Sequence, residues 1–302
     1  MAPCTVYRSR SVWHHAAVPH GLFRLVTMTR IHVASDLHLD TLVDRRGRAL
    51  PTQRPSVPTC DLVFVPGDTD DDGPRGVRAL ASHYAAAGIP VVVIAGNHDG
   101  CTGTYPRYLE KMAEAAAAGA AKRPDWAPVT VLEQATVSVA GVRVVGATLW
   151  TDFALHPEEA RVGMAAAGDP LRGMREYGRV RVHTPQGYGR PRPADTAAIH
   201  ARTVAWLTET VAMPVSVPTI VVTHHPPIPA ALSAAQAAAP CVGADASDLT
   251  ALGAASGVEL WASGHSHNAM DLMVGGTRCV SHPRGRPVEV TGFRDDWVVT
   301  VP

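Results

Sequence analysis

The chain is poor in cysteine, in aromatic residues and in charge of one sign. Its five cysteines stand far apart in 302 residues and include no Cys-x-x-Cys pair, which argues against a disulfide framework and a thiolate zinc site. This cysteine usage predicts a reducing, cytoplasmic environment. Lys+Arg and Asp+Glu both total 27, so the chain lacks the positive field on which sequence-independent nucleic-acid binders depend. We therefore expect no nucleic-acid partner.

Long hydrophobic runs are also missing. No run approaches the ~20 apolar residues that a membrane-spanning helix needs, so no membrane partner is expected. The chain does have 46% hydrophobic residues over 302 positions, which is enough for a large core. It also has 15 histidines, and histidine is the commonest metal ligand. The sequence gives no information on the oligomeric state.

The N-terminal segment differs from the rest of the chain. Residues 1–27 contain arginines but no acidic residue, and they show neither the apolar core nor the cleavage site of a signal peptide. We expect an unstructured leader over 1–27, followed by a single domain over 28–302. From residue 30 onward, apolar strand-like runs alternate with helical segments in the rhythm of βαβ units. Such continuous apolar strands indicate a sheet that is covered on both faces.

The strand pattern stops between residues 151 and 195, where glycine, proline and arginine dominate. This composition predicts an irregular insertion rather than a second domain, and we interpret it as a cap or lid. Its stretch from Arg172 to Arg192 holds six arginines and one acid, Glu176. Because arginine forks suit phosphate oxygens, we expect the insertion to help choose the substrate.

Five short polar motifs each follow an apolar run. In the first, Asp36 and His38 are two residues apart, so both side chains point the same way from an extended chain. The other motifs are Gly67-Asp68-Thr69-Asp70-Asp71, Gly96-Asn97-His98-Asp99, Thr223-His224-His225-Pro226 and Gly264-His265-Ser266-His267. Open α/β sheets place their sites at the carboxyl ends of strands. The mixed set of carboxylate, imidazole and amide groups suits divalent Mn, Fe or Zn.

The order of these motifs is Asp-x-His, Gly-Asp-x-x-Asp, Gly-Asn-His-Asp, His-x-Pro and Gly-His-x-His, and it resembles the calcineurin-like metallophosphoesterase superfamily. Segments 35–39, 148–153 and 283–285 look more narrowly like a bacterial subgroup of predicted phosphohydrolases. That subgroup tends to read Asn-Pro-Arg-Gly-Tyr near its end, whereas this chain has His282-Pro283-Arg284-Gly285-Arg286. The resemblance implies an α/β fold, a four-layer α-β-β-α sandwich with two mixed sheets.

The resemblance also implies the roles of individual residues around two divalent ions. One ion is expected to be held by Asp36, His38 and His267. The other ion is expected to be held by Asn97, His224 and His265, with Asp68 bridging the two. In catalysis, His98 is expected to act directly and the adjacent Asp99 to orient it and hold its proton. Residues with weaker assignments are Asp71 as a support of the loop, and His225 and Arg284 as candidates for substrate contact.

The implied activity is hydrolysis of a small phosphomonoester or phosphodiester by a hydroxide that bridges the two ions, without a covalent enzyme intermediate. In such a centre the ions also act as Lewis acids toward the phosphoryl oxygens. Two alternatives belong to other classes: a weak or inactive scaffold of the same fold that serves protein interaction, and a nuclease. The presence of every ligand position argues against the scaffold, and the zero net charge argues against the nuclease.

Overall fold

Two β-sheets packed face to face form the centre of the fold. The structure is a computed structural model that describes residues 28–41 and 56–302, so the leader predicted over 1–27 lies outside the described residues. The strands of the first sheet are β1 (Thr29–Val33), β2 (Leu62–Pro66), β3 (Val91–Ile94), β5 (Val129–Leu132) and β14 (Val298–Val301). Their spatial order is β14, β1, β2, β3, β5, and all pairs are parallel except β14 with β1.

The second sheet has six strands and is also mixed. Its strands are β6 (Ala135–Val139), β7 (Val142–Ala147), β10 (Thr219–Thr223), β11 (Leu260–Ser263), β12 (Met270–Val274) and β13 (Thr277–Ser281). The spatial order is β12, β13, β11, β10, β7, β6, with antiparallel hairpins at the two edges and parallel pairs between them. Tight turns at Ala140-Gly141 and Gly275-Gly276 join the strands of these two hairpins.

Helices cover the outer face of each sheet. The first sheet packs against α1 (Gly73–His83) and α2 (Arg107–Lys122), and the second packs against α5 (Pro193–Ala212) and α7 (Thr250–Ala255). Between the sheets lies a third apolar layer, which includes Ile31, Phe64, Val92, Val144 and Ile220. The strands are therefore apolar on both faces, and the predicted four-layer sandwich is confirmed.

Side-chain hydrogen bonds bear on the starts of two helices. The carboxylate of Asp72 accepts a hydrogen bond from the backbone N–H of Arg75 at 3.2 Å, and α1 starts at Gly73. The hydroxyl of Ser247 donates to Asp152 Oδ1 at 3.0 Å and caps no helix, and α7 starts at Thr250.

The insertion over 151–195 is more regular than its composition predicts. It contains α3 (Ala160–Ala167), α4 (Arg175–Arg179), β8 (Arg181–Thr184) and β9 (Gly187–Gly189). A small third sheet is built from β4 (Thr104–Tyr105), β8 and β9, and a short helix, α6 (Ala234–Ala237), lies further along the chain. A separate apolar cluster consists of Phe153, Ala167, Tyr177 and Ala244. No helix within the described ranges has the length and apolarity to cross a bilayer.

Candidate metal centre

The five polar motifs lie together between the two sheets. Three of them follow β1, β2 and β3 of the first sheet, and two follow β10 and β11 of the second. Because the sheets face each other, the carboxyl ends of these strands deliver their side chains to one place, as expected for an α/β fold. The structure brings together all seven predicted ligands, which are Asp36, His38, Asp68, Asn97, His224, His265 and His267.

The first predicted ligand set is compact and largely buried. The Nε2 atoms of His38 and His267 are 3.1 Å apart, and His267 Nε2 lies 3.4 Å from Asp36 Oδ1. One ligand atom from each of the three residues lies within 4.8 Å of the other two. Asp36 and His38 are fully buried or nearly so. At this spacing, Asp36, His38 and His267 can bind one ion together.

The second set is arranged around an amide oxygen. Asn97 Oδ1 lies 2.8 Å from His224 Nε2 and 3.1 Å from His265 Nδ1. Asp68 stands between this set and the first, because its Oδ1 is 3.5 Å from His224 Nε2 and its Oδ2 is 3.9 Å from His38 Nε2. One carboxylate oxygen therefore faces each set, which is the geometry a bridging ligand requires.

The backbone at the ligands is held in conformations that side-chain-bearing residues rarely adopt. Positive φ angles between 42° and 68° occur at five of the seven predicted ligands: Asp36, His38, Asp68, His265 and His267. Left-handed geometry is costly for residues with a Cβ and clusters at functional sites. Backbone hydrogen bonds between loops hold it here, for example from Asp36 N to Gly67 O and from His38 N to Asp68 O, both 3.0 Å long.

The glycines of three motifs are explained by the closeness of neighbouring ligands. A Cβ on Gly96 would collide with Asp68 Oδ1, and a Cβ on Gly264 would lie 2.7 Å from Asp36 Oδ2. Gly67 has φ +85°, and a Cβ there would collide with the ring of His224. Only glycine lets the loop backbones come this close to the ligand side chains.

The electrostatics of the carboxyls and the most buried imidazoles suit cation binding. Burial opposes ionisation of Asp36 and Asp68, but the neighbouring imidazoles outweigh it and lower both pKa values. Burial lowers the pKa of His38 to about 4, and it also lowers the pKa of His224 despite nearby carboxylates. At neutral pH these groups are anionic carboxylates and neutral imidazoles, the protonation states that bind metal.

The two histidines of the last motif, His265 and His267, differ from His38 and His224 in the direction of their pKa shifts. Burial disfavours their charged forms, yet Asp245 raises the pKa of His265 and Asp36 raises the pKa of His267. A metal ion displaces such protons when it binds. Two carboxylates, four imidazoles and one amide oxygen form a donor set that fits borderline and hard divalent ions such as Mn, Fe or Zn. The residues present therefore fit the predicted ions.

His98 lies beside the carboxylate of Asp68, which faces both ligand sets. Its Nε2 is 3.9 Å from Asp68 Oδ2 and 3.4 Å from Arg286 Nη2, and its Nδ1 is 3.3 Å from Asp71 Oδ1. Burial favours the neutral imidazole, but Asp68 and the hydrogen bond to Asp71 raise the pKa of His98 to about 11. The side chain is thus oriented through Nδ1 while Nε2 faces the cavity.

The prediction that Asp99 orients His98 is wrong. The Asp99 carboxylate accepts hydrogen bonds from the backbone N–H groups of Gly96, Asp68 and Thr69 at 2.7, 2.9 and 3.1 Å. Successive side chains diverge at this turn, so Asp99 fixes the loops while Asp71 contacts the imidazole. An ion pair with Arg175 of the insertion holds the other oxygen of Asp71.

The two candidates for substrate contact are placed elsewhere. His225 is 1% exposed; its Nδ1 lies 3.2 Å from Thr148 O, and its ring packs against His265 and Trp150. Arg284 donates from Nη1 to the carbonyl of Leu37 at 3.1 Å, which holds the loop after β1. Neither residue lines the cavity in front of the predicted ligands. Substrate contact by either residue stays a prediction.

Sequence reasoning missed a contact from the insertion. Glu176 of α4 is 2% exposed, and its Oε2 accepts a hydrogen bond of 3.1 Å from Asn97 Nδ2. Burial raises the pKa of this carboxyl. The available signal was that Glu176 is the one acid among the six arginines between 172 and 192. The composition of this stretch does not indicate which residue Glu176 contacts.

A cavity of about 610 Å³ opens in front of the predicted ligands. Its wall contains four of the predicted ligands together with His98; the four are Asp68, Asn97, His265 and His267. Other wall residues come from the insertion and the C-terminal loop, including Met174, Arg175, Arg286 and Val290. A larger cavity of about 750 Å³ lies around Arg143 and Thr219 at the amino ends of β7 and β10, and none of the predicted ligands lines it.

Comparisons with known proteins agree with this architecture. A family model described as calcineurin-like phosphoesterase matches residues 29–269, and no curated protein matches the chain in sequence. The phosphopantetheinyl hydrolase (PptH) of Mycobacterium tuberculosis is similar in structure with a TM-score of 0.58 and 17% identity, over 90% of this chain and 95% of that chain. A dimetal phosphatase from Danio rerio gives a TM-score of 0.50 and 12% identity, over 90% of this chain and 91% of that chain. At these identities the two structures establish a shared fold.

Proposed function

The chain belongs to the calcineurin-like phosphoesterase family of metal-dependent hydrolases, and from this premise we propose that it hydrolyses a small phosphomonoester or phosphodiester at a centre of two divalent ions. The ions are Mn, Fe or Zn. One ion is held by Asp36, His38 and His267, the other by Asn97, His224 and His265, and Asp68 is shared. We also propose that the protein is cytoplasmic. Residues 28–302 would form a single domain in which 151–195 serves as a cap.

The observation that carries the proposal is the position of Asp68. Its two oxygens face different ligand sets, at 3.5 Å from His224 Nε2 and 3.9 Å from His38 Nε2. A single ion would bind only one of these two ligand sets. Both sets are largely buried and lie on loops with left-handed backbone. Two neighbouring ions use all seven ligands.

The protein's own residues support hydrolysis. When bound, the two ions supply a water that ionises near neutral pH and Lewis acids for the phosphoryl oxygens. Asp71 fixes the His98 ring through Nδ1, so that Nε2 can donate a proton to the leaving oxygen. Arg286 Nη2 lies 3.4 Å from that nitrogen, and two donors this close can share one phosphoryl oxygen. No side chain of the site is required as a covalent nucleophile.

The cavity supports a small substrate. A volume of about 610 Å³ falls within the roughly 300–1,000 Å³ range of small-molecule sites. Met174, Arg175 and Glu176 of the insertion line its wall, which supports a role of the insertion in choosing the substrate. Arg286 stands where the resembling subgroup has tyrosine, and its guanidinium supports binding of an anionic phosphoryl group beside His98.

Metal analysis followed by assays with added Mn²⁺ tests the proposal. We expect two ions per chain, with hydrolysis of a nitrophenyl monoester, its bis-ester or a cyclic nucleotide, and none of nucleic acid. Asp68→Ala should lose both bound metal and activity, whereas His98→Ala should lower turnover ~10²–10⁴-fold, the usual contribution of general acid catalysis, with metal retained. Exposed Asp125→Ala and His183→Ala are the matched controls.

Two results would contradict the proposal. One is a wild-type protein that binds at most one ion under saturating Mn²⁺. The other is the absence of solvent ¹⁸O from the phosphate released in a single turnover, because direct attack by water places one solvent oxygen on phosphorus.

A further inference from the structure

Helix α4 of the insertion contacts the metal-binding loops through two consecutive residues. Glu176 accepts the hydrogen bond from Asn97 Nδ2 at 3.1 Å. Arg175 pairs with Asp71, which in turn holds His98 Nδ1 at 3.3 Å. Glu176 thus contacts Asn97 of the loop after β3 directly, whereas Arg175 acts on the adjacent His98 through Asp71 of the loop after β2. Asn97 is a predicted ligand and His98 is the predicted acid.

An asparagine ligand has a particular weakness. Its side-chain amide presents an oxygen on one side and an NH₂ group on the other, and only the oxygen can bind a cation. In neutral His224 the N–H is on Nδ1, which faces the carbonyl of Pro66 at 2.8 Å, so Nε2 offers a lone pair and no donor to Asn97 Oδ1. His265 Nδ1 can donate to that oxygen at 3.1 Å. When His265 Nδ1 directs its lone pair at an ion instead, neither imidazole holds the amide oxygen. Its orientation then depends on what holds the NH₂ group.

Glu176 is well suited to hold it. Among the described residues, it is the acceptor of the Asn97 side-chain N–H. Because Glu176 Oε2 accepts a hydrogen bond from Asn97 Nδ2, it favours the amide orientation in which Oδ1 faces the ligand set. Glu176 is 2% exposed and has no ion pair with Lys or Arg in the described part of the chain. Burying an acid in this way is costly, whereas Glu158 and Glu159 of the same insertion are exposed.

We propose that Glu176 is a positioning residue for the ion bound by Asn97, His224 and His265, so that occupancy of this ion depends on the insertion being seated on the loop. This inference rests on the proposed function. When α4 is docked, the amide oxygen is fixed and both ions bind tightly. When α4 is displaced, the amide is free to rotate and this ion is held less well, while the ion at Asp36, His38 and His267 is unaffected.

Metal binding measured without any activity assay tests this role. Glu176→Met keeps the volume of the side chain and removes the acceptor, and Glu176→Gln keeps an acceptor through Oε1. By titration calorimetry with Mn²⁺, Glu176→Met should weaken one of two ions by ~10–100-fold, the usual effect of losing a partner of a ligand, and leave the other unchanged. Glu176→Gln should bind nearly as the wild type does. Glu159→Ala is the exposed control and should change neither ion.

A double-mutant cycle with Asn97→Asp separates positioning from general structural support. An aspartate has two equivalent oxygens, so its rotation cannot remove the ligand. In the Asn97→Asp background, Glu176→Met should cause a much smaller loss of metal affinity than in the wild type, because there is no amide left to orient. Equal losses in both backgrounds would assign Glu176 a merely structural role and overturn the proposal.

The remaining outcomes are also decisive. Glu176→Ala replaces Glu176→Met if the latter does not fold, and failure of both to give a cooperative melt would overturn the positioning role in favour of stability. Wild-type protein that binds fewer than two ions would overturn the proposed function itself. Two ions in the wild type, with unchanged affinities in Glu176→Met, would overturn only the inference about Glu176.

Discussion

The loops that follow the strands and the insertion contribute to the same cavity by different means. All seven predicted ligands come from the strand-end loops, which hydrogen-bond to one another through backbone groups. The insertion contributes through α4, by a hydrogen bond to Asn97 and an ion pair with Asp71. One region places the ligands, and the other orients groups that are already in place.

The two regions also differ in how firmly they are anchored. The loops begin at strands whose residues are fully buried, such as β2 and β3. The insertion has its own small cluster around Phe153 and Tyr177, and it exposes large apolar side chains, including Leu171 at 92%. Regions with few buried apolar contacts open at lower free energy. The predicted ligands therefore lie on firmly packed loops, whereas the groups that contact Asn97 and Asp71 lie on a less firmly packed segment.

The largest expected effect concerns the rigid loops. Gly96→Ala places a Cβ against Asp68 Oδ1 and 2.5 Å from Asp68 N, and the backbone there is fixed by neighbouring strands. We expect loss of bound metal and of activity, together with a lower melting temperature. Metal analysis and calorimetry measure both. Retention of two ions by this variant would mean that the loops are as adaptable as the insertion, and the comparison would fail.

A smaller effect is expected from the insertion's ion pair. Arg175→Met removes the partner of Asp71 and loosens the orientation of His98, so turnover should fall about 10-fold, in the range for lost supporting contacts. The fall should be greater for an alkyl phosphate than for a nitrophenyl phosphate, because the poorer leaving group needs the proton more. Metal content should not change. Exposed Arg181→Met is the control, and an equal fall for both esters would exclude this role of Arg175.

The smallest effect tests whether the insertion opens independently. Gly178 of α4 has open space around its Cα, so Gly178→Ala should stabilise the helix by about 0.5–1 kcal/mol. Slower hydrogen exchange of the α4 amides, with an unchanged melting temperature of the sandwich, is the expected result. A rise in the melting temperature of the whole domain instead would show that the two regions unfold together.

The sequence allowed prediction of the strand-bound half of the site. Each motif follows a continuous apolar strand, and strands of this kind have their carboxyl ends at one edge. Asp36, His38 and His98 could therefore be located relative to one another before the fold was known. The motif that begins at Thr223 directly follows such a strand, β10, whose residues are all buried.

The remaining contacts depend on packing between segments far apart in the chain. Glu176 meets Asn97 across 79 positions, and Arg286 meets His98 across 188, and neither pair has a spacing rule. Asp99 is adjacent to His98 in sequence, and for this reason it is expected to contact the imidazole. A tight turn instead directs its carboxylate away from His98 and toward backbone N–H groups. Side-chain direction within turns is set by tertiary hydrogen bonds that a local pattern does not contain.

The left-handed backbone at Asp36, His38, Asp68, His265 and His267 bears on how a cation would be bound. Backbone hydrogen bonds between the loops support these conformations, for example from Asp36 N to Gly67 O and from His38 N to Asp68 O. Much of the ordering that a ligand set requires is therefore supplied by the fold. A cation bound here would need to order less of the chain than one bound by extended loops.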